Sequence, residues 1–167
     1  DEVVTHTGKY YQFSNVDLQP KPIQKPMPIH LAVNPPANEV SEDVLERVLR
    51  RVARHADGWQ TDGTPVKEFR ERFSKIRKYA EELGRDLSNF DSSLHMMVNI
   101  NDDETKAFEQ ATSFLTSYYG AGLISRERAE TWIACGSTQS VIDKIASYID
   151  AGCTIPVLRF VAPNPRE

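Results

Sequence analysis

Residues 56–100 open with Ala56-Asp57-Gly58-Trp59-Gln60-Thr61 and pass through Asp62-Gly63 to Thr64-Pro65. Val66, Phe69, Phe73, Ile76, Ala80 and Leu83 follow at helical spacing up to Gly84, and the stretch ends on Leu94-His95-Met96-Met97-Val98-Asn99-Ile100. The first and last pieces are short apolar runs of strand type. The middle keeps a 3.6-residue period, with Thr64 as expected N-cap, Pro65 at the first helical position and Gly84 as the stop. A long helix between two strands implies parallel pairing through a right-handed crossover. The stretch therefore predicts an α/β protein.

The same unit repeats on both sides. Ile29-His30-Leu31-Ala32-Val33, closed by Asn34-Pro35-Pro36, predicts a buried strand. Ser41 predicts the N-cap of a helix with Glu42 and Asp43 in its first turn and Val44, Leu45, Val48, Leu49, Val52 and Ala56 on one stripe. Arg47, Arg50, Arg51 and Arg54 lie between these positions and read as its solvated face. Downstream, Asn101-Asp102-Asp103-Glu104 opens a helix carrying Ala107, Phe108, Ala111, Phe114, Leu115 and Tyr118. Gly120 and Gly122 lead to a connector with a short helix from Ser125 to about Trp132. Gly136-Ser137 opens a further helix with Val141, Ile142, Ile145, Ala146 and Ile149 inward and Gly152 behind it, and Ile155 to Val161 is the last strand. Residues 1–28 carry Pro20, Pro22, Pro26 and Pro28 and are expected to be an extended Pro-rich segment, with the α/β domain at 29–167. The order is β-α-β-α-β-α-(α)-α-β.

The 167 residues suffice for one domain with a core of its own, and 40% hydrophobic with 26% charged residues excludes a disordered tail or a collagen-like repeat. Lys plus Arg at 20 against Asp plus Glu at 24 gives −4, which offers no broad attraction to nucleic acid or anionic lipid. Cys135 and Cys153 are the only cysteines and form no metal-binding spacing, so neither a disulfide framework nor a structural metal is expected. No apolar run is long enough for a membrane span, and residues 1–20 lack the pattern of a signal peptide, so a cytoplasmic location is expected. The chain begins at Asp1 without Met, which suggests a piece of something longer.

Several motifs in order carry a family resemblance: Gly8-Lys9-Tyr10-Tyr11; Leu18-Gln19-Pro20-Lys21-Pro22-Ile23-Gln24-Lys25-Pro26-Met27-Pro28-Ile29; Arg50-Arg51-Val52-Ala53-Arg54-His55-Ala56-Asp57-Gly58-Trp59; and Gly136-Ser137 with Ala151-Gly152 behind the last helix. The sequence resembles the C-terminal half of a luciferase-like monooxygenase, a family of flavin- or deazaflavin-dependent (β/α)₈ barrels. A full barrel takes about 250 residues, so four β-α steps would form half of one. The sequence departs from the family where Asn34-Pro35-Pro36 replaces the usual small, Gly-containing turn at the flavin.

The resemblance implies an oxidoreductase that binds FMN, or alternatively deazaflavin F420, and oxidises a small organic substrate, with a flavin reductase or other source of reduced flavin as partner. It also implies a missing N-terminal half or a homo-oligomer, because an isolated half exposes raw strand edges. The alternative is a catalytically silent half-barrel with a structural or associative role. An unrelated flavodoxin-like domain would need a phosphate loop after the first strand, which is absent. No G-x-G-x-x-G, Walker loop, H-E-x-x-H or G-x-S-x-G motif occurs.

Ligands of such barrels sit at the C-terminal ends of the strands. That rule selects Asn34, Thr61, Asp62, Asn99, Asn101 and the stretch from Arg159 to Ala162 as pocket candidates. The cofactor-binding set is Asn34, Thr61, Asn99, Arg159, Gly136 and Ser137; catalytic residues stay unassigned, since the family's general-base and phosphate contacts come largely from the other half. Arg159, between Leu158 and Phe160, must find a partner if buried: a flavin phosphate, an acidic substrate, or a carboxylate on a covering helix. Gly136-Ser137 would present free helix amides to an anion, or serve only as a cap. His30 and His95 read as core imidazoles inside strands, His6 and His55 carry no assignment, and Gly58 and Trp59 read as packing residues.

Overall fold

The computed structural model describes residues 3–35 and 40–161, so Pro36 and Ala162 lie outside the described residues. The chain starts with an antiparallel hairpin, β1 (Val4–Thr7) and β2 (Gln12–Val16), closed where the Gly8 amide donates to the Tyr11 carbonyl at 2.9 Å. Within the segment expected to be extended, the β-branched residues before Gly8 thus pair locally, and the prolines lie further along. Then follow β3 (His30–Ala32), α1 (Glu42–His55), β4 (Gly58–Asp62), α2 (Val66–Glu82), β5 (Asp91–Ile100), α3 (Glu104–Tyr119), α4 (Arg126–Trp132), β6 (Ile133–Gly136), α5 (Thr138–Asp150) and β7 (Ile155–Phe160).

Strand β6 differs from the sequence expectation. Its four residues were expected inside a connector, and nothing local marks them as a strand; they become one because β5 outruns β4 and leaves backbone groups to pair. In the five-stranded sheet of β3 to β7 all pairings are parallel, with His30 beside Gly58 and Gly58 beside Asp91. Strand β5 is the hub: β4 pairs with residues 91–95, β7 with 93–98 and β6 with 97–100. Because β7 overlaps both other ranges, β4 and β6 share the opposite edge of β5, end to end. The beginning of β6 thus abuts the C-terminal end of β4.

The helices start where their caps predict. Ser41, Asp103, Ser125 and Ser137 each accept a bond from a first-turn amide of α1, α3, α4 and α5. Helix α2 differs: Pro65 is its N-cap, and the Thr64 hydroxyl, expected to cap it, turns instead to other side chains.

Alternation along β5 divides its side chains between two cores. Leu94, Met96 and Val98 join Val33, Trp59 and the inner faces of α1, α2 and α5, where Trp59 stacks on Phe69 at 4.9 Å and Phe69 meets the edge of Tyr148 at 5.9 Å. Met97, with Ile133 and Val161, packs against Ala111 and Leu115 of α3 and Ala129 and Trp132 of α4. Two expected stripes shift: Leu83 on α2 and Ile142 and Ile149 on α5 are exposed, while Arg72, Tyr79 and Tyr148 are buried in those helices. Tyr118, expected inward on α3, is also exposed. Among the described residues β3, β6 and β7 each pair on one side only, and Phe160 on β7 is 68% exposed.

Candidate functional site

A polar cluster occupies the C-terminal ends of β3 and β4. The Trp59 indole N–H donates to the Val33 carbonyl at 2.8 Å, and this fixes the exit of β3. One residue on, the Asn34 amide nitrogen donates to the Asp62 carbonyl and to Asp62 Oδ1, the latter at 2.8 Å. Asn34 Oδ1 accepts from Thr64 Oγ1 at 2.8 Å and from Arg72 Nη1 at 3.1 Å. Arg72 Nη2 also donates to the Pro35 carbonyl at 3.1 Å and to Glu68 Oε2 at 2.9 Å. Thr61 Oγ1 lies 2.6 Å from Thr64 Oγ1, and the Tyr148 hydroxyl donates to the Thr64 carbonyl at 2.8 Å. Arg128 on α4 donates to Asp62 Oδ1 at 2.7 Å and so ties in the second core.

Asn34 and Thr61 are therefore joined through the Thr64 hydroxyl, and every hydrogen-bonding atom of the Asn34 side chain is engaged by protein. The cluster fixes the strand-end loops. Arg72 holds it together from inside α2, where burial lowers its pKa and Glu68 opposes that loss. Sequence reading missed Arg72, which stands on the helix period between charged residues and looks like a solvated position. Arg128 had no local mark either.

The remaining candidates sit around β5, β6 and β7. Arg159 is next to Met97 in register, and its guanidinium lies 4.8 Å from the Phe114 ring and 4.4 Å from the Tyr118 ring of α3. Among the described residues it makes no ion pair and no hydrogen bond, so the expected carboxylate on a covering helix is replaced by two aromatic faces. His95 projects from the same strand face as Met97 and meets Trp132 edge to face at 5.9 Å, while the Trp132 indole donates to the His95 carbonyl at 3.0 Å. Burial holds the His95 imidazole below its ordinary pKa; Asp62 pulls it upward and Arg159 pushes it down.

Asn99 is buried, and its amide donates to the Val161 carbonyl at 3.0 Å and to Gln110 at 3.2 Å. Asn101 is part of the turn into α3, its Oδ1 accepting from the Asp103 amide at 3.0 Å. Gly136 has φ +108°, a left-handed conformation that favours glycine, and Ser137 Oγ accepts from the Ser140 amide at 3.1 Å. Beside them a pocket of about 590 Å³ is lined by Glu104, Phe108, Arg126, Cys135, Ser140 and Lys144 among others. Burial lowers the Lys144 pKa and raises that of the Cys135 thiol, and the Lys144 ammonium donates to the Glu130 carbonyl at 2.7 Å and the Ile133 carbonyl at 2.6 Å. His30 lies at the opposite, N-terminal end of the sheet, 3.2 Å from Asp91. Among the described residues, no group of three or more His, Cys, Asp or Glu is arranged to hold a metal ion, and no helix is long and apolar enough to cross a membrane.

The family model for luciferase-like monooxygenases matches residues 1–154. The chain belongs to that family. Luciferase-like monooxygenases thus supply the frame for the strand-end cluster, and solved structures agree on the fold. One is an F420-dependent secondary alcohol dehydrogenase in complex with an F420-acetone adduct: TM-score 0.71, 17% identity, 99% of this chain and 52% of that one. Another is the coenzyme F420-dependent tetrahydromethanopterin reductase from Methanopyrus kandleri: TM-score 0.64, 20% identity, 96% of this chain and 53% of that one. A long-chain alkane monooxygenase matches with TM-score 0.58 and 19% identity, over 95% of this chain and 42% of that one. No curated protein matches the sequence. The chain spans about half the length of these structures, and its fold is half of a (β/α)₈ barrel of the luciferase-like type. The cluster of Asn34, Asp62, Thr64 and Arg72 and the residues His95 and Arg159 lie toward the strand ends where such barrels bind ligands.

Proposed function

We propose that the chain is the C-terminal half of an oxidoreductase that uses FMN, or alternatively deazaflavin F420, to oxidise a small organic substrate. The observation that carries this reading is the family match over residues 1–154. The residues present fit an anionic, ring-bearing cofactor. Val157 on β7, two residues before Arg159, exposes apolar surface to lie against a ring, and the first turn of α5 behind Gly136 and Ser137 presents amides that no intrahelical carbonyl reaches. Asn34 and Thr61 hold the strand-end loops, and Asn99 fixes the exit of β7 through Val161. When bound, the cofactor accepts or delivers the electron pair of the reaction; the protein orients it and excludes water. In a barrel completed by a preceding half, reduced cofactor would come from a separate reductase or reduced flavin source.

Fluorescence titration with FMN and F420 tests this on the chain alone and on the complete polypeptide or assembly that closes the barrel. One cofactor bound per closed barrel is expected, with weaker binding by the open half. A closed barrel that binds neither overturns the cofactor reading. The exposed β3 and β7 edges favour a second reading, in which a silent half-barrel associates with a partner or with its own copy. Association with no cofactor bound in any assembly would favour it.

A further inference from the structure

Arg159 departs from how a buried or half-buried arginine is usually satisfied. Such a guanidinium normally forms forked hydrogen bonds to a carboxylate or to carbonyls. Here, among the described residues, its only contacts are the rings of Phe114 and Tyr118, at 4.8 and 4.4 Å. The two rings are one helical turn apart on α3 and nearly parallel, 13° between planes with centroids 5.8 Å apart, so they form one aromatic wall. A guanidinium lying against such a wall is held in orientation by cation–π attraction while its N–H edge stays open. The register sets Arg159 beside Met97 of β5, so it shares a sheet face with His95, whose ring is steadied by Trp132. On this face are one oriented cation and one imidazole, and Asp62, which acts on that imidazole, already accepts from Arg128 and Asn34.

We propose that Arg159, oriented by Phe114 and Tyr118, is the seat for the carboxylate of an acidic organic substrate, a specificity element of the oxidoreductase site described above. The inference rests on that reading for the word substrate, though the anion seat itself does not. Two anionic groups would need places in such a site, a cofactor phosphate and a substrate acid. The α5 N-terminus behind Gly136 follows β6, on the β4 side of β5, whereas Arg159 stands on β7 along the other edge. A phosphate held at the first leaves the second free. A planar carboxylate matches the open fork of a guanidinium in two parallel hydrogen bonds.

Acetate is the probe for the carboxylate alone, inorganic phosphate the probe for the alternative anion, and sodium chloride at matched ionic strength the control. The readout is the NMR signals of the His95 imidazole and of the Phe114 and Tyr118 rings, in the wild-type protein and in Arg159→Gln and Arg159→Lys. Acetate is expected to shift all three saturably in the wild type, with affinity lowered by about tenfold or more in Arg159→Gln and by less in Arg159→Lys, which keeps the charge and loses the fork. The His95 titration midpoint should rise when acetate saturates the wild type, and should rise in Arg159→Gln without acetate, because a neighbouring positive charge is neutralised or removed. Absence of a saturable shift, or equal acetate affinity in Arg159→Gln, overturns the proposal; so does tenfold tighter binding of phosphate than of acetate, or loss of FMN or F420 affinity in Arg159→Gln with acetate binding unchanged. If Arg159→Gln does not fold, the wild-type titration and Arg159→Lys decide alone. Acetate held through Arg159 in a closed barrel that binds neither cofactor would sink the oxidoreductase reading and leave the anion seat standing.

Discussion

Asn34 and Asp62, 28 positions apart, join the C-terminal ends of two neighbouring strands through one side-chain amide that donates to both the Asp62 carbonyl and Oδ1. The other end of the same amide accepts from Thr64 and Arg72. Replacing Asn34 with Ala strands donors and acceptors at once, and each half-buried orphan costs about 1–3 kcal/mol. Urea unfolding of Asn34→Ala should show a loss of about 2 kcal/mol, with the denaturant slope unchanged. A loss below the error of the method would mean that the cluster is not a structural tie.

Arg72 bonds Asn34, the Pro35 carbonyl and Glu68 while 4% exposed. Arg72→Met keeps the length and loses the charge, leaving Glu68 and the Pro35 carbonyl without their donor. Breaking a buried pair from one side costs about 3 kcal/mol or more, and thermal unfolding should report it. The double variant Arg72→Met with Glu68→Gln is expected to lose less than the sum of the singles.

The Tyr148 hydroxyl donates to the Thr64 carbonyl, and burial pushes its pKa up to about 12 from 10.0. The native state therefore holds this proton more tightly than the unfolded chain. Its stabilising contribution is complete below pH 10 and is lost as pH climbs from 10 toward about 12. The wild type should lose about 2–3 kcal/mol across that interval from this group. Tyr148→Phe should flatten that part of the curve and lower stability by about 1 kcal/mol at neutral pH.

Asp62 raises the His95 pKa against the dominant effect of burial, so Asp62→Asn should lower the His95 midpoint further, as read from the imidazole NMR signals. A folded pKa below the unfolded value of 6.5 means that the unfolded chain protonates first. Stability from this group is present above that value and falls as pH drops through the interval below it. An unchanged or higher midpoint in Asp62→Asn would show that the two side chains do not interact.

Gly152 follows α5 with φ +104°, and a Cβ there would stand 2.9 Å from Phe73 Cδ1. Gly152→Ala combines a left-handed backbone with overpacking against an aromatic ring, each of order 1–3 kcal/mol. A melting point lowered by several degrees is the expected result.

Much of the chain was legible because its determinants are local. Ser41, Asp103, Ser125 and Ser137 each cap the helix they precede, and Gly84, Gly120 and Gly152 mark ends by their positive φ. The spacing of Leu49, Val52, Phe69 and Ile76 marks the buried stripes of α1 and α2. Thr64 misled because a Thr-Pro pair is a good cap by local rules, whereas its hydroxyl finds better partners in Asn34 and Thr61, brought close by other strands. Ile142 and Ile149, expected inward, are exposed for a related reason: a helical stripe wider than the surface it meets leaves some of its members uncovered.

The sequence by itself determined the alternation of strands and helices, the parallel sense of the sheet, the helix caps and the family, since each depends on residues within a few positions of one another. Tertiary structure alone decided that Ile133–Gly136 is a strand, that Arg72 is the keystone of the strand ends, and that Arg159 rests on two rings rather than a carboxylate. These outcomes depend on which backbone edge is left unpaired and which side chains converge from far along the chain, as between Tyr148 and Thr64 at a separation of 84 residues. Hydrogen bonds and ring contacts are satisfied in space, and no periodicity or local motif records them.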